Sequence, residues 1–362
     1  MLAKAIRMTV LGQLARRARW SLAPAPRTGW AGRVSVQRSH SVMETGVPVE
    51  WVVRVENHSR NVWHRGAPAG VGLRYQWHAR TGRAFGEAHD TPLPRTLLPG
   101  DWADIPVAVS GPAAVGDFTL AWELVAAGNP AGIGTRPEPL PVHVTFPHAT
   151  DIDYHHVYRT ADLGANSWWV VGAYPTQDDY LQSSRKRREM LVDEGLTPDS
   201  RVLDVGCGTG QMAMALEDYL SPRGAYYGTD IGREAIDYCR AHYRRPNFAF
   251  EVGEMTRIPF PTSAGPFDLA IYFSVFTHTF VDESVLLLAE TARLLGPKGA
   301  IVADIIVSDL VARGAGHRGQ MWVNRDHFFR LAAALGFETT VMGTFPWGAH
   351  AERLMLRLAR RA

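Results

Sequence analysis

Apolar and polar residues alternate with a period of two along the first part of the chain. Val47, Val49, Trp51, Val53 and Val55 share one phase, and Glu50, Arg54 and Glu56 the other. Val71, Leu73, Tyr75 and Trp77 alternate with Gly72, Arg74, Gln76 and His78. The beat returns in Ile105-Val107-Val109, Phe118-Leu120-Trp122-Leu124 and Val142-Val144-Phe146. A strand sends successive side chains to opposite faces, so each run reads as a half-buried strand. Turn chemistry separates the runs at Asn57-His58-Ser59, Thr81-Gly82, Pro99-Gly100-Asp101 and Val115-Gly116-Asp117. About seven such strands over residues 33–147 predict an all-β, immunoglobulin-like β-sandwich. The Gly- and Pro-rich stretch Ala126 to Pro141 is expected to form an edge excursion or loop.

From Thr176 onward the pattern changes to βα alternation. Thr176 with Asp179 predicts a helix N-cap, and Gly195 the end of that helix. On it, Arg185-Lys186-Arg187-Arg188 reads as a solvated face, with an anionic acceptor or phospholipid head group as the functional alternative. Strands are expected at Arg201–Val205, Ala225–Thr229, Asn247–Val252, Phe267–Phe273 and Ala300–Val307, and a last pair at Phe337–Met342 and Arg353–Leu358. The fourth is apolar nearly throughout, as a buried parallel strand is. Asp282 is expected to cap a helix running to Leu295, and Asn324 one ending at Gly336. Residues 148–175 then read as a linker between the β domain and an α/β domain over 176–362.

The first of these strands runs into three glycines at alternate positions, Gly206, Gly208 and Gly210, and then into a helix from Gln211. This turn brings backbone close to a nucleotide-like ligand. It lacks the lysine of a phosphate-binding loop, and Gln211 replaces the third glycine of a dinucleotide fingerprint. Asp204 at the strand end would oppose a pyrophosphate but suits a cationic ligand. Val202-Leu203-Asp204-Val205-Gly206-Cys207-Gly208-Thr209-Gly210 resembles motif I of the class I S-adenosylmethionine-dependent methyltransferases.

That resemblance covers about residues 165–362. It implies a Rossmann-like α/β domain of seven strands with an antiparallel edge, and S-adenosyl-L-methionine as cofactor. By it, Asp204 organises the loop under the methionyl end, and Gly206, Cys207, Gly208 and Gly210 form the cofactor turn. Asp230 would accept from both ribose hydroxyls, with Ile231 beside it. Glu254 would accept from the adenine amine while the Met255 backbone meets the ring edge, although the family's usual pair there is Asp followed by a small residue. Ser274 opens the segment to His278 that lies between cofactor and acceptor. His278 is a candidate general base, with an ordinary pKa of about 6.5 suited to proton transfer near neutrality; packing beside the cofactor is the equal alternative. Asp304, at the end of the fifth strand, is the second candidate. Ser274 and Thr277 have no triad around them, and His155-His156 lack companions at metal-ligand spacing.

The β region in turn resembles a sandwich module of bacterial surface-polysaccharide proteins. The segments Asn57-His58-Ser59, Tyr75-Gln76-Trp77, Pro92-Leu93-Pro94, Pro99-Gly100-Asp101 and Gly116-to-Leu120 follow in that module's order. Trp51, Trp63, Trp77, Trp102 and Trp122 could form a sugar-stacking platform, but mostly fall on the inward phase, where they read as core.

Composition narrows the rest. The 362 residues carry a formal charge of +2, which points away from nucleic acid. Two cysteines, Cys207 and Cys239, make no disulfide framework and fit a reducing cytosol. No apolar run approaches the roughly 20 residues of a membrane span. Residues 1–32 are basic, with Lys4, Arg7, Arg16, Arg17, Arg19 and Arg27 and no acid before Glu44. A short apolar run followed by arginines argues against a signal peptide. The segment reads as a disordered tail or as an amphipathic helix touching an anionic membrane surface from the cytoplasmic side. The leading expectation is O-methylation of a sugar in a bacterial cell-surface glycan or glycolipid. A small-metabolite methyltransferase and a non-catalytic cofactor-binding assembly protein are the rivals.

Overall fold

The computed structural model describes residues 30–65, 70–126, 129–147, 152–170, 172 and 174–361. Residues 1–29 of the basic segment lie outside the described residues. The chain divides into two compact units, one running to Ala113 and resuming over Asp117–Val144, the other comprising Ala114–Gly116 and Thr145 onward.

The first unit is all strand: β1 (Gly32–Arg38), β2 (Val42–Glu44), β3 (Pro48–Asn57), β4 (Val71–Ala79), β5 (Ala84–Pro92), β6 (Trp102–Ser110), β7 (Gly116–Ala126), β8 (Asn129–Ile133) and β9 (Leu140–Thr145). They form a three-stranded sheet, β1-β3-β6, and a six-stranded one, β2-β9-β7-β4-β5 with β8 on β7. The count of nine exceeds the seven expected because β2 and β8 are short: β2 has no run long enough to show alternation, and β8 lies inside the Gly/Pro stretch. Burial follows the predicted phase residue by residue in β4 and β7. The inner faces meet at Trp51 and Trp122, whose ring centroids are 6.0 Å apart. Trp77 Nε1 donates to the Ser110 carbonyl of the opposite sheet, at 3.1 Å. Trp51, Trp63, Trp77 and Trp122 are buried, so they fill the interior and offer no stacking platform. Trp102 is exposed, with the Arg54 guanidinium 4.1 Å from its ring centroid.

The second unit is an open α/β sheet. Its helices are α1 (Tyr154–Thr160), α2 (Leu163–Val170), α3 (Gln177–Asp193), α4 (Gln211–Glu217), α5 (Arg233–His242), α6 (Val281–Leu294) and α7 (Arg325–Ala334). Its strands are β10 (Arg201–Val205), β11 (Ala225–Asp230), β12 (Phe248–Val252), β13 (Phe267–Tyr272), β14 (Leu295–Val307), β15 (Gly314–His317), β16 (Gln320–Val323), β17 (Phe337–Pro346) and β18 (Glu352–Arg360). The parallel order is β12-β11-β10-β13-β14, and β18 then pairs antiparallel with both β14 and β17. Seven of these strands were expected from the sequence; the hairpin β15–β16, attached to the end of β14, makes nine. Alternate residues supply opposite cores. Leu203, Ala270, Ile301 and Leu356 face one helix layer, while Val202, Leu269, Ile271 and Val302 face the other.

Three local expectations change. The stretch read as a linker holds α1 and α2, with α1 started by Asp153, whose Oδ1 accepts from the His156 N–H. The start of α6 is served by Glu283, not Asp282: Glu283 Oε2 accepts from the Phe280 N–H at 2.8 Å. The basic run on α3 is not all solvated, since Arg187 Nη1 donates to Gln211 Oε1 and Arg188 Nη1 to the Ala215 carbonyl. The caps at Thr176 and Asn324 are as the sequence predicts.

Candidate active site

The sheet's switch point lies at β10, which has β11 on one side and β13 on the other. Ligands of open α/β sheets bind at such crevices, outside the strand carboxyl ends. Here the turn after β10 is tied to β11, because the Gly206 and Cys207 N–H groups both donate to the Thr229 carbonyl, at 2.8 and 3.0 Å. Gly206 and Gly210 have φ of 73° and 86°, and a Cβ on them would lie 2.5 Å from Val275 Cγ2 and 2.4 Å from Tyr243 Cε2. Only glycine makes this turn without strain.

Above the turn opens a cavity of about 510 Å³, within the range of small-molecule sites. Gly206, Gly208, Asp230, Ile231, Glu254, Met255, Ser274 and His278 all line it. Asp230 is buried at the tip of β11, and its oxygens accept from the Gly208 and Gly232 N–H groups, each at 2.9 Å. Burial raises its pKa, and these N–H bonds oppose the rise. The carboxylate keeps acceptor capacity for a further donor such as a ribose hydroxyl. The Thr229 hydroxyl is buried in the same wall with no partner of its own. A glycine turn, an acceptor-rich acid and an unsatisfied hydroxyl around one cavity fit an adenosyl cofactor.

Four expected residues lie elsewhere. Asp204 is buried beneath the turn, does not line the cavity, and accepts from the Tyr226 hydroxyl. Burial pushes its pKa up to about 7, against the Tyr226 hydrogen bond. Cys207 and Gly210 also fall outside the lining; the Cys207 thiol packs in the core with Cys239. Asp304 corrects the second candidate base. It is fully buried, Oδ1 accepts from the Ser274 N–H at 2.7 Å, and Oδ2 from Arg353 Nε at 2.6 Å. With both oxygens committed, it positions neighbours and reaches no acceptor. Ser274 has a left-handed backbone (φ 60°), unique among the described non-glycine residues, and its Oγ accepts from Arg353 Nη2 at 2.7 Å.

His278 does reach the cavity. Its Nδ1 lies 2.7 Å from the Arg318 carbonyl. A carbonyl only accepts, so Nδ1 carries the proton and Nε2 keeps its lone pair. Nε2 has no hydrogen-bond partner among the described residues. Burial lowers the pKa, while the Arg318 carbonyl and Asp304 act in the opposite sense.

Sequence reasoning missed Tyr154, Tyr158, Arg353 and Gln211 as parts of the site. Tyr154 and Tyr158 sit on α1; the ring of Tyr158 packs where a Cβ on Gly232 would come within 2.3 Å. Arg353 lines the cavity from β18, where alternation assigns it a solvent phase. Gln211, in the place of a third glycine, ties α4 to Ser184 Oγ of α3 and to the hydroxyl of Tyr174, which precedes that helix, each at 3.1 Å.

Fold and cavity together define a class I S-adenosylmethionine-dependent methyltransferase domain. Residues 202–299 match the family model described as a methyltransferase domain. An O-antigen chain terminator bifunctional methyltransferase/kinase of Escherichia coli, WbdD, is 34% identical over 154 residues, covering 39% of this chain and 21% of that protein. A fatty-acid O-methyltransferase of Mycolicibacterium smegmatis is 34% identical over 99 residues, covering 27% of this chain and 34% of that protein. Among solved structures, the S-adenosylmethionine complex of magnesium protoporphyrin IX methyltransferase from Synechocystis aligns with a TM-score of 0.41 at 15% identity, covering 59% of this chain and 99% of that one. The chain spans about a fifth of the length of the first curated relatives it matches. Among the described residues, no helix is long and apolar enough to cross a membrane.

Proposed function

We propose that this chain methylates a hydroxyl of a sugar in a bacterial cell-surface glycan or glycolipid. The observation that carries the hydroxyl chemistry is the His278 ring, its Nδ1 on the Arg318 carbonyl and its Nε2 without a partner among the described residues, in the cavity that Asp230 also lines. S-adenosylmethionine supplies an electrophilic methyl on sulfonium, so the protein need supply no nucleophile. Gly206, Gly208, Asp230 and Ile231 hold the methionyl and ribose parts, Glu254 and Met255 the adenine, and Ser274 closes the methionyl end. Asp204, Cys207 and Gly210 shape the turn from beneath. Orientation of the acceptor accounts for roughly 7–11 kcal/mol of barrier lowering in well-aligned systems. His278 Nε2 takes the hydroxyl proton.

Three features support a sugar acceptor. Trp169 and Trp347 give the cavity wall flat rings suited to stacking on a pyranose. The Escherichia coli relative is named for the O-antigen chain. The first unit's short segments resemble a module of surface-polysaccharide proteins, and we read it as an immunoglobulin-like sandwich that handles the glycan. The reaction then belongs in the cytoplasm, with the basic N-terminal segment meeting the membrane's anionic inner face.

A small apolar metabolite is the second reading. Phe273, Leu287 and Ile306 in the same wall favour it, as does the relative named for fatty-acid O-methylation. The test is transfer of labelled methyl into fractionated extract of a source strain that lacks this protein. Label in polysaccharide or glycolipid supports the sugar; label in a small apolar product supports the second reading. Cofactor binding with no label anywhere makes the chain a non-catalytic binding protein.

A further inference from the structure

The ring of His278 is held at one nitrogen from two sides. The Arg318 carbonyl lies 2.7 Å from Nδ1, and the Tyr154 hydroxyl oxygen 3.0 Å from the same atom. The Tyr154 and His278 rings meet edge to face, with centroids 5.3 Å apart. Neither partner belongs to the motif that supplies His278. Tyr154 opens α1, and Arg318 is in the two-residue turn between β15 and β16, where His317 pairs with Gln320.

That turn is anchored. Arg318 Nη1 and Nη2 donate to Glu283 Oε2 and Oε1 at 2.9 and 2.7 Å, a two-pronged ion pair that fixes a carboxylate's direction as well as its distance. Glu283 also accepts from the Phe280 N–H at the start of α6. On the other side of the turn, the Met321 N–H donates to the Thr277 carbonyl, the residue before His278, at 2.7 Å. The Arg318 carbonyl is therefore held against the imidazole from both flanks.

We propose that Tyr154 and the Glu283-anchored Arg318 carbonyl form a two-point acceptor for the Nδ1–H of His278, which makes Tyr154 and Glu283 positioning residues for methyl transfer to a hydroxyl. The proposal rests on the reaction proposed above. In that step the acceptor O–H proton passes to Nε2 as the O–CH₃ bond forms and the S–CH₃ bond breaks, its electron pair leaving with the thioether sulfur. The imidazolium so formed gains most from acceptors at Nδ1. Tyr154 suits this role because its phenol stays protonated: burial, with Asp230 nearby, pushes its pKa up to about 12. It shares the Nδ1 proton and does not remove it. The other charged or titratable groups facing the ring are Asp304 on β14, Arg353 on β18 and His317 on β15. They set a background that substitution of Tyr154 leaves in place.

The experiment reads the ring directly. Full-length protein labelled with ¹⁵N-histidine is titrated by two-bond ¹H–¹⁵N correlation, with His278→Gln to assign the signal. The wild type should show the Nδ1-protonated neutral form. Tyr154→Phe should lower the titration midpoint by about 1–2 pH units, the shift expected from losing one hydrogen bond to the charged form. Glu283→Gln should admit the Nε2-protonated form, and S-adenosylmethionine affinity by calorimetry should stay within twofold in both variants. An Nε2-protonated ring in the wild type, or a midpoint that Tyr154→Phe leaves unmoved, would overturn the proposal. A ring behaving as described, with no methyl label in any extract fraction, would overturn the reaction and leave the two-point acceptor standing.

Discussion

Arg353 Nε lies 2.6 Å from Asp304 Oδ2, although the two residues are 49 positions apart in sequence. In the antiparallel pairing of β14 with β18, Arg353 stands opposite Ile306, so Arg353 and Asp304 are diagonal neighbours on one face. The carboxylate is fully buried and the guanidinium reaches the cavity. Removing one partner of a buried ion pair leaves the other without its counter-charge, at a cost of about 3–5 kcal/mol. Arg353→Met should lose stability on that scale in urea denaturation, because it leaves the fully buried Asp304 carboxylate unpaired, and Asp304→Asn clearly less, because the guanidinium it leaves reaches the cavity. Equal losses would show that the pair does not hold the site together.

In the same cavity, Asp230→Ala should weaken S-adenosylmethionine binding about 10- to 100-fold. That is the effect of losing hydrogen bonds to a charged acceptor worth roughly 1.5–3 kcal/mol. Isothermal calorimetry checks it, and an unchanged affinity would remove Asp230 from the cofactor's ribose.

His278→Ala should lower turnover at least tenfold while cofactor affinity stays nearly intact. The pH profile carries the same information. Burial holds the ring's pKa below its ordinary value, and the neutral form is the base, so the rate should rise through a midpoint below about 6.5 and be flat by neutrality. A midpoint at or above the ordinary value would mean that His278 is not the titrating base. Loss of cofactor affinity with turnover preserved at saturation would make it a cofactor contact.

Asp204 offers a test in the opposite sense. Its folded-state pKa is raised to about 7, far above an unfolded aspartate. A raised pKa means the folded protein binds the proton more tightly. That stabilisation is complete below the unfolded pKa and is lost as pH rises through the folded one. Asp204→Asn cannot lose a proton, so its stability relative to wild type should climb between about pH 4 and pH 7, on the order of a few kcal/mol. Denaturation midpoints of both proteins across that window measure it, and a pH-independent difference would contradict it.

The sequence disclosed features set by local chemistry. Alternation located the long strands of both units, and the glycine turn followed by Asp230 located part of the cavity wall, because spacing along one or two elements suffices there. It did not disclose what several elements assemble. Asp304 sits near the carboxyl end of β14 like a catalytic acid, yet Arg353 of β18 and Ser274, just after β13, take up its oxygens. Tyr154 lies in a stretch without long periodicity, since α1 has only seven residues. Gln211 broke a dinucleotide pattern and so read as an exclusion; its partners Ser184 and Tyr174 come from distant parts of the chain.

The last strand of the sheet is also an interior one, since β18 enters between β14 and β17. On the ribosome the parallel strands emerge first, and domains fold from the N-terminus as they are made. Until residues 352–360 follow, β14 shows the exit-side solvent an unpaired edge whose side chains from Ala300 to Val307 are all buried in the finished protein. Such an edge is a template for wrong pairing. The strand that covers this edge also carries Arg353 of the cavity wall, so the edge is covered and the cavity completed by the same segment.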